Sequence, residues 1–277
     1  MNSFLIFANP DKDNDLGLSN ELVNYIESKG GRARIVVDEF SAIVPEAKLQ
    51  DIDAVIVLGG DGTMLRAAHY IGESGIPLMG INLGTLGFLT EIEQSNARNA
   101  IDRLFDESFS IEERMMCEGL IGGSCYNALN DIVISRAGFS RVIGLKIYVN
   151  GQLLDTYEAD GVIVATPTGS TGYNLSAGGP IVSPKSKAIL VTPISPHSLT
   201  AKSVVFDTDA VIEIEIVKQR KTQDKEAIVS VDGVQSAELS AGDMIKVAVS
   251  DIKVRFIKLY DMNFYRVLRD KIGGGNQ

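Results

Sequence analysis

The residues best suited to chemistry lie in Asp53-Ala-Val-Ile-Val-Leu-Gly-Gly-Asp-Gly-Thr63. Three glycines, Gly59, Gly60 and Gly62, surround one acid, Asp61. Such glycines let the main chain bend tightly and let a large anion approach without meeting a Cβ. Backbone N–H groups at Gly59, Gly60, Gly62 and Thr63 are therefore predicted to hold phosphate, as a strand, a glycine turn and a helix do elsewhere. An acid in an anion site repels its ligand unless it binds a metal or takes a proton from a nucleophile. Asp61 is a candidate for those roles. An ordinary βα turn with an Asp near the helix start is the alternative.

A second stretch, Asp160-Gly-Val-Ile-Val-Ala-Thr-Pro-Thr-Gly-Ser-Thr-Gly-Tyr-Asn-Leu-Ser-Ala-Gly-Gly179, again runs from apolar residues into small hydroxyls and glycines. Thr166, Thr168, Ser170, Thr171 and Ser176 are predicted to offer donors, and Gly169 and Gly172 to open the backbone. Tyr173 is suited to stacking on a flat ring. Upstream, Asn130 and Asp131 head the apolar run Ile132-Val-Ile134. They could cap a strand or read a hydroxyl-bearing ligand.

The elements around these stretches follow from periodicity. Ala54–Leu58 reads as a strand covered on both faces, and Met64–Ile71 as the helix after the turn. Ser3–Ala8, Arg34–Val37 and Ile76–Ile81 read as strands, and Leu16–Ser28 and Gln94–Phe105 as helices. Pro45–Ile52 reads as a loop or short helix. Strand–helix alternation predicts a Rossmann-like open α/β sheet over residues 1–108. Beyond it short strands dominate. Asn150-Gly151 and Asp232-Gly233 each sit between apolar runs, a strong hairpin signal. Val211–Ile216 and Ile252–Phe256 alternate by two. Residues 109–258 are therefore predicted to form an all-β, sandwich-like domain. Phe264–Ile272 reads as a final helix before a frayed tail, and segment 259–277 is expected to pack back on the first domain.

Composition narrows the function classes. The chain has 277 residues, 45% of them apolar, and a formal charge of -10. With no basic tract, a general binder of nucleic acid or of an anionic membrane is disfavoured. The two cysteines, Cys117 and Cys125, read as free thiols of a reducing compartment. The N-terminal apolar run is too short for a signal peptide, and no run reaches the roughly 20 apolar residues of a spanning helix. A soluble, cytoplasmic protein is expected. No Walker loop and no Gly-x-Gly-x-x-Gly turn is present. His69 reads as a packed helix residue, His197 as a loop residue open to a structural or a functional role, and a hydrolase triad has little support.

Together these stretches resemble the NAD kinase family. The matching residues are Gly59-Gly-Asp-Gly-Thr63, Gly80-Ile-Asn-Leu-Gly-Thr-Leu-Gly-Phe-Leu89, Asn130-Asp131, the Asp160 to Gly179 run and Thr192-Pro-Ile-Ser-Pro-His197. Diacylglycerol and sphingosine kinases share the glycine turn, but they follow it with a Gly-Thr-x-Asn-Asp-Phe type of segment. Here that place reads Gly84-Thr-Leu-Gly-Phe88. Gly172 stands where many family members carry alanine. The resemblance implies transfer of the ATP γ-phosphoryl group to the 2′-hydroxyl of the adenosine ribose of NAD. It implies Asp61 as general base, with Mg²⁺ or another divalent cation accompanying ATP. It implies Asn130 and Asp131 at the adenine or ribose edge, and Thr168, Thr171, Gly172, Tyr173 and Ser176 along the dinucleotide. Asp160 would meet the nicotinamide amide and Phe88 would shape the adenine side. It also implies a homodimer or homotetramer, with residues near Asp160 serving across a subunit boundary.

Overall fold

Buried, β-branched runs build the first sheet. The structure, a computed structural model, describes residues 1–38, 49–85, 87–138, 142–198, 200–217, 227–260 and 264–272. The chain divides into two units, Met1–Glu113 with Val254–Gln277, and Arg114–Lys253.

In the first unit the chain runs β1 (Ser3–Ala8), α1 (Gly17–Ser28), β2 (Arg32–Val37), β3 (Ala54–Gly59), α2 (Asp61–Ile71), β4 (Leu78–Asn82), β5 (Ile92–Glu93) and α3 (Ala97–Phe105). The strands are parallel in the order β2-β1-β3-β4, with β5 beside the end of β4. Every residue of β3 and β4 is buried, as strands covered on both faces require. Phe4, Ile56 and Met79 of the sheet share one core with Leu22 and Ile26 of α1 and Ile101 and Leu104 of α3.

The helix after the glycine turn begins at Asp61 and not at Met64, three residues earlier than its apolar spacing suggests. Gly60 takes the N-cap, and its carbonyl accepts the Met64 N–H at 3.0 Å. Glycine is tolerable there because the first-turn N–H groups have no partner within the helix anyway. His69 lies exposed on α2 rather than packed. Of the segment predicted at 45–52, residues 45–48 lie outside the described residues, as does the tail from Gly273.

The second unit is antiparallel throughout. Its strands are β6 (Ser110–Ile121, from Arg114 onward), β7 (Ser124–Ala128), β8 (Asp131–Arg136), β9 (Ile143–Val149), β10 (Gln152–Ala159), β11 (Gly161–Ala165), β12 (Ile189–Ile194), β13 (Val204–Phe206), β14 (Ile212–Val217), β15 (Ala227–Val231), β16 (Val234–Leu239) and β17 (Met244–Lys258, to Lys253). A one-turn helix, α4 (Tyr173–Ser176), follows β11. One sheet has the order β13-β12-β11-β8-β15-β16, and the other contains β10-β9-β14-β17. Ile132, Val164, Val191 and Val229 of the first meet Leu145, Ile147, Ile214 and Val247 of the second in a single core. That is a β-sandwich, as the alternating strands predict. Both hairpin turns are left-handed at both central residues: Asn150 and Gly151 have φ of 51° and 76°, Asp232 and Gly233 of 48° and 82°. Asn, Asp and Gly are the residues that accept this conformation. After β17 comes α5 (Phe264–Ile272), in the first unit.

Candidate active site

In the first unit the acid of the glycine turn is held from the loop after β4. Asp61 Oδ2 accepts the Phe88 N–H at 2.7 Å, and Oδ1 accepts Leu89 N–H at 2.9 Å, Thr90 N–H at 3.2 Å and the Thr90 hydroxyl at 3.3 Å. A carboxylate has about four acceptor sites. Three donors crowd Oδ1, while Oδ2 accepts one. Gly87 makes this seat possible: a Cβ there would lie 1.8 Å from Asp61 Oδ1. Gly59 is equally constrained, since its Cβ would fall 2.2 Å from Thr63 Oγ1. Thr63 is itself buried, and its hydroxyl accepts from Asn9 Nδ2 at 3.2 Å. Asp61 thus faces away from its own helix, and no side chain among the described residues caps the first turn of α2. Those N–H groups, at the positive end of the helix, suit an anion.

Other groups join the turn that sequence reading passed over. Lys12 places its ammonium beside Gly60 and Gly84. Arg66, on α2, is bound to the buried Asp38, with Nε and Nη2 both 2.6 Å from Oδ2. Asn82 ends β4 opposite Gly59; its Nδ2 donates to the Gly84 carbonyl at 2.8 Å, while its buried Oδ1 has no partner among the described residues. The Phe88 ring lies 6.0 Å from that of Phe264, with Lys271 Nζ 5.2 Å over its face.

The second unit gathers Asn130, Asp131 and Gly172. A Cβ on Gly172 would lie 3.5 Å from Asn130 Nδ2 and 3.9 Å from Asp131 Oδ2. The strand-capping reading of Asn130 and Asp131 is corrected here, because a third residue does the capping. Asp232, in the turn between β15 and β16, accepts the N–H groups of Leu129, Asn130 and Asp131 at 2.8, 2.7 and 3.1 Å. The Asp131 side chain is left buried with no hydrogen bond from the described residues, and burial, reinforced by the Asp232 charge, pushes its pKa up to about 7. The same surroundings, burial first, hold the Cys117 thiol far above its ordinary range; Cys125 is exposed.

The hydroxyl-rich run is a scaffold more than an array of open donors. Thr166 Oγ1 donates to the Leu129 carbonyl at 2.6 Å, and Ser170 Oγ donates to Pro167 O at 2.7 Å. Thr168 is buried, and its hydroxyl accepts from Arg114 Nη1 at 3.3 Å. Thr171 is half-buried and donates to the Thr168 carbonyl at 3.4 Å. Gly169 must lack a side chain, since its Cβ would lie 2.1 Å from the Asn130 carbonyl oxygen. Tyr173 and Ser176, on α4, are exposed. Asp160 stands at the far end of β11 from this group, about 17 Å away at the usual strand rise, and pairs with Arg136 Nε at 2.9 Å. Composition marked these segments; it could not say which hydroxyls the fold uses up.

Comparison with known proteins decides the family. The ATP-NAD kinase N-terminal domain matches residues 41–109, and the ATP-NAD kinase C-terminal domain matches residues 129–259. The chain belongs to the NAD kinase family. It is 44% identical to an NAD kinase of Lachnoclostridium phytofermentans and 47% identical to one of Agathobacter rectalis, each over 99% of both chains. Among solved structures, the yeast NADH kinase complexed with NADH superposes with a TM-score of 0.87 at 26% identity, covering 100% of this chain and 89% of that one. As an NAD kinase the protein is a phosphotransferase: it moves the γ-phosphoryl group of ATP to the 2′-hydroxyl of the adenosine ribose of NAD and makes NADP.

Proposed function

We propose that Asp61 is the general base of this reaction. What supports it is the seat of the carboxylate, fixed by three main-chain N–H groups, with Oδ2 accepting one donor where Oδ1 accepts three. The 2′-hydroxyl gives its proton to Asp61 Oδ2 as its oxygen attacks the γ-phosphorus, and the bond to the β-phosphate oxygen breaks to release ADP. Phosphoryl transfer asks a protein chiefly for alignment and charge stabilisation. The glycine turn, Gly59, Gly60, Gly62 and Thr63, supplies main-chain donors to the phosphates. The nucleotide substrate is ATP complexed with Mg²⁺ or another divalent cation, whose charge offsets that of the triphosphate.

On this reading Asn130 and Asp131 take the adenine or ribose edge of NAD, Gly172 lets the ligand close on them, and exposed Tyr173 stacks on a ring. Thr168, Thr171 and Ser176 line the dinucleotide, and Phe88 shapes the adenine side. The domain carrying the α/β sheet, residues 1–108, supplies the base, and residues 109–258 bind the dinucleotide. Asp160, remote from the Asn130–Asp131 pair, is assigned to the nicotinamide amide of a neighbouring subunit's site, which makes the enzyme a homodimer or homotetramer. No helix among the described residues is long and apolar enough to cross a membrane, and we place the enzyme in the cytoplasm, where its substrates are. The test is Asp61→Asn in a coupled NADP assay. Turnover should fall by about 10²–10⁴, the usual worth of a positioned base, with NAD still bound. Near-normal turnover by a folded variant would remove Asp61 from the chemistry.

A further inference from the structure

The glycine turn lies in a protein with a formal charge of -10, and its ligand is a triphosphate. Among the described residues two cations reach it. Arg66 is neutralised by Asp38, whose carboxylate oxygen lies 2.6 Å away. Lys12 is in a different position. Its Nζ stands 3.0 Å from where a Cβ on Gly60 would be, and 3.9 Å from the same point on Gly84. The ammonium therefore lies over bare main chain from both glycine segments, the one after β3 and the one after β4. No carboxylate among the described residues pairs with it.

The segment that carries Lys12 is tied to the turn. Asn9 N–H donates to the Leu58 carbonyl at 3.1 Å, and Asn9 Nδ2 reaches Thr63 Oγ1. The Asn9 carbonyl accepts the N–H groups of Lys12 and Asp13 at 3.1 and 2.9 Å, and its side-chain oxygen accepts that of Asp11 at 3.0 Å. Neighbouring Asp13 does not quench the lysine: its carboxylate is taken by the Leu18 and Ser19 N–H groups, each at 2.9 Å, at the start of α1. A cation aimed over an uncapped helix N-terminus and two glycine segments matches a phosphate chain lying on those amides.

We propose that Lys12 binds the triphosphate of ATP, its ammonium pairing with the β- and γ-phosphoryl oxygens while they rest on the glycine turn. This rests on the kinase reading above. Lysine acts here as a compact point charge, and it gives the acidic protein a local site for a polyanion.

The test uses the full chain with Lys12→Met, which keeps the stem and removes the charge, and Lys12→Arg, which restores charge. Lys12→Met should raise the KM for ATP at least about tenfold, a usual consequence of losing a charge-assisted contact, and leave the KM for NAD within about twofold. By equilibrium dialysis it should lose affinity for ATP and not for AMP, and Lys12→Arg should recover most of the loss. An unchanged KM for ATP, or equal losses for ATP and AMP, would overturn the proposal. The two readings fail separately. If the unaltered chain makes no NADP while Lys12→Met still loses its preference for ATP over AMP, the kinase reading falls and the lysine assignment stands.

Discussion

At the scale of single residues, Asp131 is the group most disturbed by its surroundings. Burial, and then the charge of Asp232, raise its pKa to about 7, well above an ordinary carboxylate near 4. The folded state therefore holds this proton more tightly than the unfolded chain does. Its contribution to stability is fully present below about pH 4 and is lost as pH climbs to about 7. Asp131→Asn has no such titration. Between about pH 5 and pH 8 the variant should gain on the native chain by about 3 kcal/mol in urea unfolding, two pH units at about 1.4 kcal/mol each. NAD affinity should also change near pH 7 in the native chain and not in the variant. A stability difference that stays flat from about pH 5 to pH 8 would show that Asp131 keeps its charge throughout.

At the scale of elements, the head of β8 is fixed by a turn that belongs to another hairpin. Asp232 accepts three main-chain N–H groups, from Leu129 to Asp131. Hydrogen bonds to a charged acceptor contribute about 1.5–3 kcal/mol each, though three bonds to one group do not simply add. Asp232→Ala should therefore cost about 3–5 kcal/mol and weaken NAD binding, because Asn130 and Asp131 lose their anchor. Asp232→Asn retains one acceptor oxygen and tolerates the positive φ, so it should cost roughly half as much. Equal stability of the alanine variant and the native chain, by urea unfolding, would refute this support. The same residue shows what could be read ahead of the structure. Asp232-Gly233 announces a turn because the dihedral demand is local. Its hold on Asn130 and Asp131, residues 102 and 101 positions earlier, is set by β8 pairing with β15, which no local pattern reports. Thr166 falls in the same class: its type suggests a donor, and the pairing of β11 with β8 decides that the Leu129 carbonyl takes it. The start of α2 was hidden for another reason. Glycine lowers helix propensity, yet the N-cap and first turn are where that penalty matters least.

At the scale of the whole molecule, the chain path sets how the two units should behave apart. Residues 114–253 form one continuous stretch, and among the described residues the sandwich core draws only on side chains within it. The first unit comes in two pieces. Its core contains Ile257 and Leu259 alongside Phe4, Ile56 and Leu104, and Phe256 of β17 pairs with Leu78 of β4. A fragment of residues 114–253 should therefore fold alone, with a β-type circular dichroism spectrum and a cooperative thermal transition. A fragment of residues 1–113 should not, because burying a side chain such as Ile257 or Leu259 contributes about 1.5–3 kcal/mol and native stability is only about 5–15 kcal/mol. Joining 254–277 to residue 113 through a flexible linker should restore its transition. A cooperative transition from 1–113 alone, or an unfolded 114–253, would show that the division of the chain does not describe its folding units. Among the described residues the core side chains of one unit all come from its own continuous stretch, and the other unit borrows from the far end of the sequence.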